Sequence, residues 1–321
     1  MPRRAIESAA PAWVRQRLAA SVPAFSATAV NPGLLRAQLA FGGAWTAEAA
    51  FTVALGVVAF RDGGAEAVGL VAFVRTLPAA LLAPVGTAFA DRFSRDRVLV
   101  WSCLVRSTAT GAAATVLHLG GSTVVVYALA VIATAAFRLF RPAHSALLPG
   151  LCNTPFELSS ANVVRGLLDS LTTLLGPLAA ALLLDLSTPA AVFVTSAGLS
   201  LASAVLLLGL SYERPPRARP QPLRRIAHET VEGFRALARY PDAGLLIGLA
   251  LVQALTQGFL YVFVVVIAFD LGMGASGVGL LTGAVGQVPS RARWGRPRSS
   301  RAVGSRRSRE SASRSGACLS P

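Results

Sequence analysis

The chain contains no lysine and few acids. All 30 of its basic residues are arginine, set against 15 Asp and Glu. Charged residues make up only 14% of the 321 positions, where a soluble domain carries about 25%. That deficit argues against a cytosolic enzyme. Cysteine is equally scarce. Cys103, Cys152 and Cys318 are too few and too scattered for a disulfide framework or a zinc site. His118, His144 and His228 stand alone and read as loop or interface residues, so no metal spacing and no catalytic triad arises. The expectation is a protein that is not an enzyme and holds no cofactor. An arginine-only, Ala/Gly/Pro-heavy composition also fits a GC-rich bacterial gene.

What the chain has in quantity is apolar residues, 54% of the total, with a mean hydropathy of +0.58. A membrane-crossing helix needs about 20 mostly apolar residues at a rise of about 1.5 Å each. Seven stretches qualify, at 38–60, 67–90, 98–118, 122–140, 163–184, 189–210 and 243–268. An eighth begins near Ser276, reads SGVGLLTGAVGQV and stops at Pro289. Pro78, Pro84, Gly111, Gly176 and Pro177 fall inside these spans. Membrane bundles tolerate such residues because neighbouring helices satisfy the freed backbone groups.

The arginines test the span count, because cytoplasmic loops hold the positive residues. With the N-terminus inside and strict alternation, 18 arginines fall on inside segments. These are Arg3 to Arg36, Arg92 to Arg97, Arg138, Arg141 and Arg165, and the group from Arg214 to Arg239. Only Arg61 falls outside, while Arg75 and Arg106 remain within spans. The expected organisation is a cytoplasmic N-terminal arm (1–33), a six-helix bundle (34–210), a central cytoplasmic loop with an amphipathic helix (211–241), then helix 7 and a partial helix 8 (242–288). An Arg/Ser-rich tail (289–321) follows. The arm is broken by prolines and lacks a signal-peptide core. In the central loop, LRRIAHETVEGFRALARY places Leu223, Ile226, Val231, Phe234 and Leu237 at near-helical spacing.

The segment after span two reads GTAFADRFSRDRVLV, a turn that sets an acid beside several guanidiniums. It resembles the signature G-x-x-x-D-R-x-G-R-R between helices two and three of the major facilitator superfamily. Asp91, Arg92, Phe93 and Arg95 match; Thr87, Ser94 and Asp96 depart from it, and Arg97 follows. FRPA with SALLP at 140–149 resembles the loop after helix four in the branch of enterobactin-exporter and macrolide-efflux-like transporters. Gly176-Pro177, followed by Ala180-Ala181, is similar to the helix-five antiporter signature, and the LGMGASGVGLL that follows span seven also fits that branch. The resemblance covers about residues 34–288. It implies an all-α polytopic membrane protein with a six-helix N-terminal bundle plus helix 7 and a partial helix 8. It also implies a gating loop at Asp91, Arg92, Arg95 and Arg97 that latches the two halves, and a helix kink at Gly176 and Pro177. The implied activity is proton-coupled efflux of a small molecule such as a drug or siderophore, at a site between two bundles near the midplane.

Charges within spans carry a functional expectation, since each costs roughly 2.5–3.5 kcal/mol at mid-bilayer on insertion scales. Glu48 lies near the middle of span one. It is a candidate proton-coupling acid facing the cavity; equally it can form a structural pair with Arg75. Arg75 and Arg106 suit an anionic substrate, or pair and snorkel, with the second favoured. Asp169, Gln253 and Gln257 are further cavity candidates, the glutamines serving equally as helix-packing glue. The sequence GMGASG at 272–277 satisfies G-x-G-x-x-G, but no βαβ unit frames it and no acid follows at the required spacing.

Residues 289–321 hold nine Arg and nine Ser. They read as a disordered arm for acidic lipid or RNA, as an interaction segment, or as an out-of-frame translation that interrupts helix eight. The last is favoured, because the second-half copy of the D-R-x-x-R loop and spans nine to twelve do not follow. The expectation is thus a bacterial plasma-membrane transporter truncated in its second half and inactive alone. Its partners are lipid, a small-molecule substrate and the proton, with no nucleic acid. The alternative is a non-transporting multi-pass anchor or partner subunit with a basic tail.

Overall fold

The computed structural model describes residues 28–81, 93–210, 232 and 241–286. All belong to a first unit, Met1–Gln287; the second, Val288–Pro321, lies outside the described residues. So do the N-terminal arm to residue 27, nearly all of the central loop, and the Arg/Ser tail.

Seven helices carry the described chain: α1 (Pro32–Leu81), α2 (Arg95–His118), α3 (Thr123–Leu151), α4 (Pro155–Leu186), α5 (Pro189–Leu207), α6 (Pro241–Asp270) and α7 (Gly274–Gly286). α1 is two helical arms meeting at Gly63-Gly64, so it holds the expected span one and span two as far as Leu81, the rest of which lies outside the described residues. Gly64 adopts φ +63° and ψ −151°, backbone that a β-carbon would exclude, and this allows the reversal without a loop. No strand occurs among the described residues, and the chain is an all-α polytopic membrane protein. Among the described residues, five stretches are long and apolar enough to cross a membrane, while α7 is apolar but shorter. α2 falls outside that set; it carries Arg95, Arg97 and Arg106.

The helix ends differ from the hydropathy reading in one consequential place. Residues 141–151 are not a loop. α3 continues through Pro142 and Pro149 to Leu151, because Phe140, Ala143, His144, Leu147, Leu148 and Leu151 are a buried stripe that packs on α1, and burial outweighs the lost backbone donors. His144 is therefore a fully buried core residue, its ring 4.8 Å from that of Phe41. α4 starts at Pro155, eight residues before the expected span. Thr154 caps it by accepting from the Glu157 amide at 3.2 Å, and the Glu157 carboxylate accepts from the Asn153 amide at 2.8 Å.

Strict alternation is visible in the ends of the helices. At one end, Asn31 donates to the Leu151 carbonyl (2.9 Å) and Arg36 to the carbonyls of Leu206 (3.0 Å) and Leu208 (2.5 Å). At the other, the Asp62 carboxylate accepts from Thr123 (3.1 Å) and Tyr127 (2.8 Å). There Arg61, His118 and Pro189 line one shallow cavity of about 400 Å³. Two apolar clusters fill the body. One gathers Phe51, Val57, Phe193 and Val265 toward the Asp62 end; the other gathers Phe41, Leu99, Phe140 and Leu207 toward the Asn31 end.

Candidate functional site: a charged cluster inside the bundle

The two core clusters leave a polar layer between them. Along α1 the residues Phe41, Trp45, Glu48 and Thr52 recur at three- and four-residue spacing and so share one face. Glu48 is the centre. Its Oε2 accepts from Arg106 Nη1, and its Oε1 lies 3.7 Å from Arg75 Nη2. Thr52 donates to Oε1 at 3.4 Å and accepts from Arg75 Nη1 at 3.1 Å. One carboxylate therefore stands between two guanidiniums brought from the second arm of α1 and from α2.

Arg106 is sealed. Its side chain is 1% exposed, against 14% for both Glu48 and Arg75. Its Nε donates to Ser200 of α5 at 3.1 Å, and its guanidinium carbon lies 4.8 Å from the Phe137 ring centroid and 5.8 Å from that of Phe51. Arg106 pairs, as expected of it, but does not snorkel, because the bundle supplies a carboxylate, a hydroxyl and two ring faces at its own depth. Its Nη2 has no hydrogen-bond partner among the described residues.

Toward the Asn31 end, the same face of α1 holds two more arginines. Arg141 lies over Trp45 at 5.3 Å and 3.5 Å from Asp169; Arg165 lies over Phe41 at 5.2 Å and donates to Ser145 at 2.7 Å. Asp169 thus belongs to a half-exposed pair with Arg141 and makes no ion pair within the Glu48 cluster. α6 joins the cluster through Tyr261, whose hydroxyl donates to the Thr52 carbonyl at 2.9 Å. Tyr261 was missed in the sequence, where it reads as one aromatic in an apolar run. Ser196 and Ser200 were missed as well. Their four-residue spacing on α5 was the available signal, and both are fully buried.

The remaining expected residues fare differently. Asp91 and Arg92 lie outside the described residues. Arg95 donates to the Ala146 carbonyl of α3, and Arg97 is exposed. Gln253 and Gln257 are exposed on α6, on a face carrying Leu249, Phe259 and Phe263, and make no hydrogen bond among the described residues. Gly176 and Pro177 are buried where α4 crosses α1, with the helix continuous through both. A β-carbon at Gly176 would fall 3.2 Å from the Thr46 carbonyl, and one at Gly279 of α7 would strike the Pro177 carbonyl. The visible role of the pair is close approach, of α1 on one side and α7 on the other. GMGASG runs from the connection between α6 and α7 into the first turn of α7, with Gly272 and Gly274 at positive φ.

Charged side chains that meet inside a multi-pass helical bundle are found along the substrate and ion pathways of membrane proteins. The family model of the Major Facilitator Superfamily matches residues 37–308, and the chain belongs to that superfamily of secondary transporters. The match ends within the Arg/Ser-rich segment. No curated protein and no solved structure matches the chain.

Proposed function

We propose that the protein carries a small molecule outward across the bacterial plasma membrane by alternating access, with Glu48, Arg106 and Arg75 at the centre of its site. The observation that carries this reading is the cluster itself. Three ionised side chains meet within the bundle, joined to α6 through Thr52 and Tyr261. Ionised groups are expensive there and persist where a solute or ion is handled. A cytoplasmic N-terminus is supported by the arginine distribution. Outward movement is supported by the resemblance to efflux transporters.

Glu48 serves this site best as a fixed counter-ion. A proton-carrying role requires the carboxylate to give up two guanidiniums in every cycle, which then face each other without compensation. The test is flux of a dye panel in proteoliposomes containing the full chain, with imposed pH gradients, for the native protein and Glu48→Gln. A counter-ion role predicts that the variant loses flux at every pH and in both directions. Loss of proton-driven accumulation alone, with downhill exchange intact, restores the coupling role. Absence of flux in the native protein under every gradient favours a non-transporting membrane partner.

A further inference from the structure

Among the described residues, the groups gathered around Glu48 and Trp45 carry more positive than negative charge. Along the face of α1 that carries Phe41, Trp45, Glu48 and Thr52, the fixed cations are Arg75, Arg106, Arg141 and Arg165, and the acids are Glu48 and Asp169. Asp169 answers Arg141 and Arg165, and Glu48 answers Arg106 and Arg75. Both groups are left with excess positive charge.

Among the described residues several donors near Glu48 keep hydrogen-bonding capacity to spare, although buried acceptors such as Gln38 Oε1 also lack partners. Arg75 approaches Glu48 at 3.7 Å, beyond hydrogen-bond range, and spends one donor on Thr52. Arg106 Nη2 is buried without a partner, and so is Trp45 Nε1, one turn from Glu48. Guanidinium and indole N–H groups only donate. What is missing is an acceptor carrying negative charge.

We propose that the substrate is a small organic anion with an aromatic or flat apolar body, its carboxylate, sulfonate or phosphate docking on Arg75 beside Glu48. This rests on the transporter reading above and names its substrate class. The anion takes the guanidinium N–H groups of Arg75 that the Thr52 hydrogen bond and the 3.7 Å approach to Glu48 do not use, a planar donor set that matches acceptor oxygens. With it bound, Glu48, the anion and the two arginines balance without any proton. In this proposal the body lies toward Trp45, beside the half-exposed Arg141 that rests on its ring, and Arg165 and Arg141 serve as the steps of the anion's path from the Asn31 end. A cation in the same place would meet Arg75 and Arg106 with one carboxylate already engaged. Cells hold a negative interior, so an anion on such a path is driven outward by the membrane potential itself.

The test compares 2-naphthoate with 2-naphthylmethylammonium, the same ring with opposite charge, by calorimetry on the full chain in lipid nanodiscs. Naphthoate is expected to bind at least tenfold more tightly than the ammonium. Arg75→Gln is expected to weaken naphthoate about tenfold, and Arg75→Lys, which keeps charge but loses the fork, less. Arg141→Gln is expected to weaken it several-fold. Equal or tighter binding of the ammonium, binding of neither probe, or naphthoate binding unchanged in Arg75→Gln overturns the proposal. Flux in proteoliposomes under a potassium-diffusion potential separates the two readings. Naphthoate that binds but never crosses sinks the transporter reading alone; another solute that crosses while naphthoate does not bind sinks the anion proposal alone.

Discussion

Gly176 of α4 lies so close to Ala49 of α1 that a β-carbon placed on it would sit 2.5 Å from the Ala49 β-carbon. Ala49 follows Glu48, so this approach fixes the depth and facing of the carboxylate. Gly176→Leu must drive the helices apart. Overpacking of this kind costs about 1–3 kcal/mol, and here it also shifts Glu48. The expected outcome is a lower midpoint of unfolding in detergent and weaker flux in whatever transport assay the native protein supports. A fully stable Gly176→Leu protein would show that the helices do not meet this closely.

Removing one partner of the buried pair is expected to be worse than removing both. Arg106→Gln leaves Glu48 with Arg75 at 3.7 Å, and breaking a buried pair costs about 3–5 kcal/mol. Glu48→Gln with Arg106→Gln replaces two charges by two amides able to hydrogen-bond each other. Unfolding of the two single variants and the double should give a coupling energy well above the few tenths of a kcal/mol found for independent sites. Additive effects would mean that the two side chains do not meet.

Labelling from the two sides of the membrane should separate the helix ends. Cysteines placed at Thr123, which donates to Asp62, and at Ser94, which precedes α2, are expected to react with impermeant maleimide from opposite faces of sealed vesicles. Reaction of both from one side would contradict the alternation.

The native thiols provide a pH test. Cys103 is 1% exposed and should stay unlabelled until unfolding. Cys152 lies just beyond α3, partly buried, and burial together with the Glu157 carboxylate pushes its thiol above the usual range. A raised value means less thiolate at neutral pH, so alkylation should be slow there and accelerate as pH rises. Glu157→Gln should shift the rate–pH curve of Cys152 to lower pH. An unshifted curve would remove Glu157 from the account.

The spans were legible in the sequence because lipid demands long apolar runs and closed backbone hydrogen bonding, and both leave their mark on composition. The helix starts at Pro189 and Pro241 and the breaks at 119–122 and 271–273 fall within a few residues of where the hydropathy placed them. The continuation of α3 to Leu151 was not legible. Arginine, histidine and two prolines interrupt its hydropathy, while the stripe of buried residues that holds it is recognisable only once α1 is beside it.

The excess of 30 arginines over 15 acids sets the charge imbalance by itself, since no fold alters the count of ionisable groups. Placement was another matter. Glu48, Arg75 and Arg106 were each visible as charges within apolar runs, and the pairing of Glu48 with Arg75 was one of two open possibilities. That Arg106 is the closer partner, sealed by Ser200 and Phe137, follows from how α1, α2, α3 and α5 pack together. Helix packing fixes distances between residues as far apart as 48, 106 and 200 in the chain, and periodicity along one helix carries no information about them.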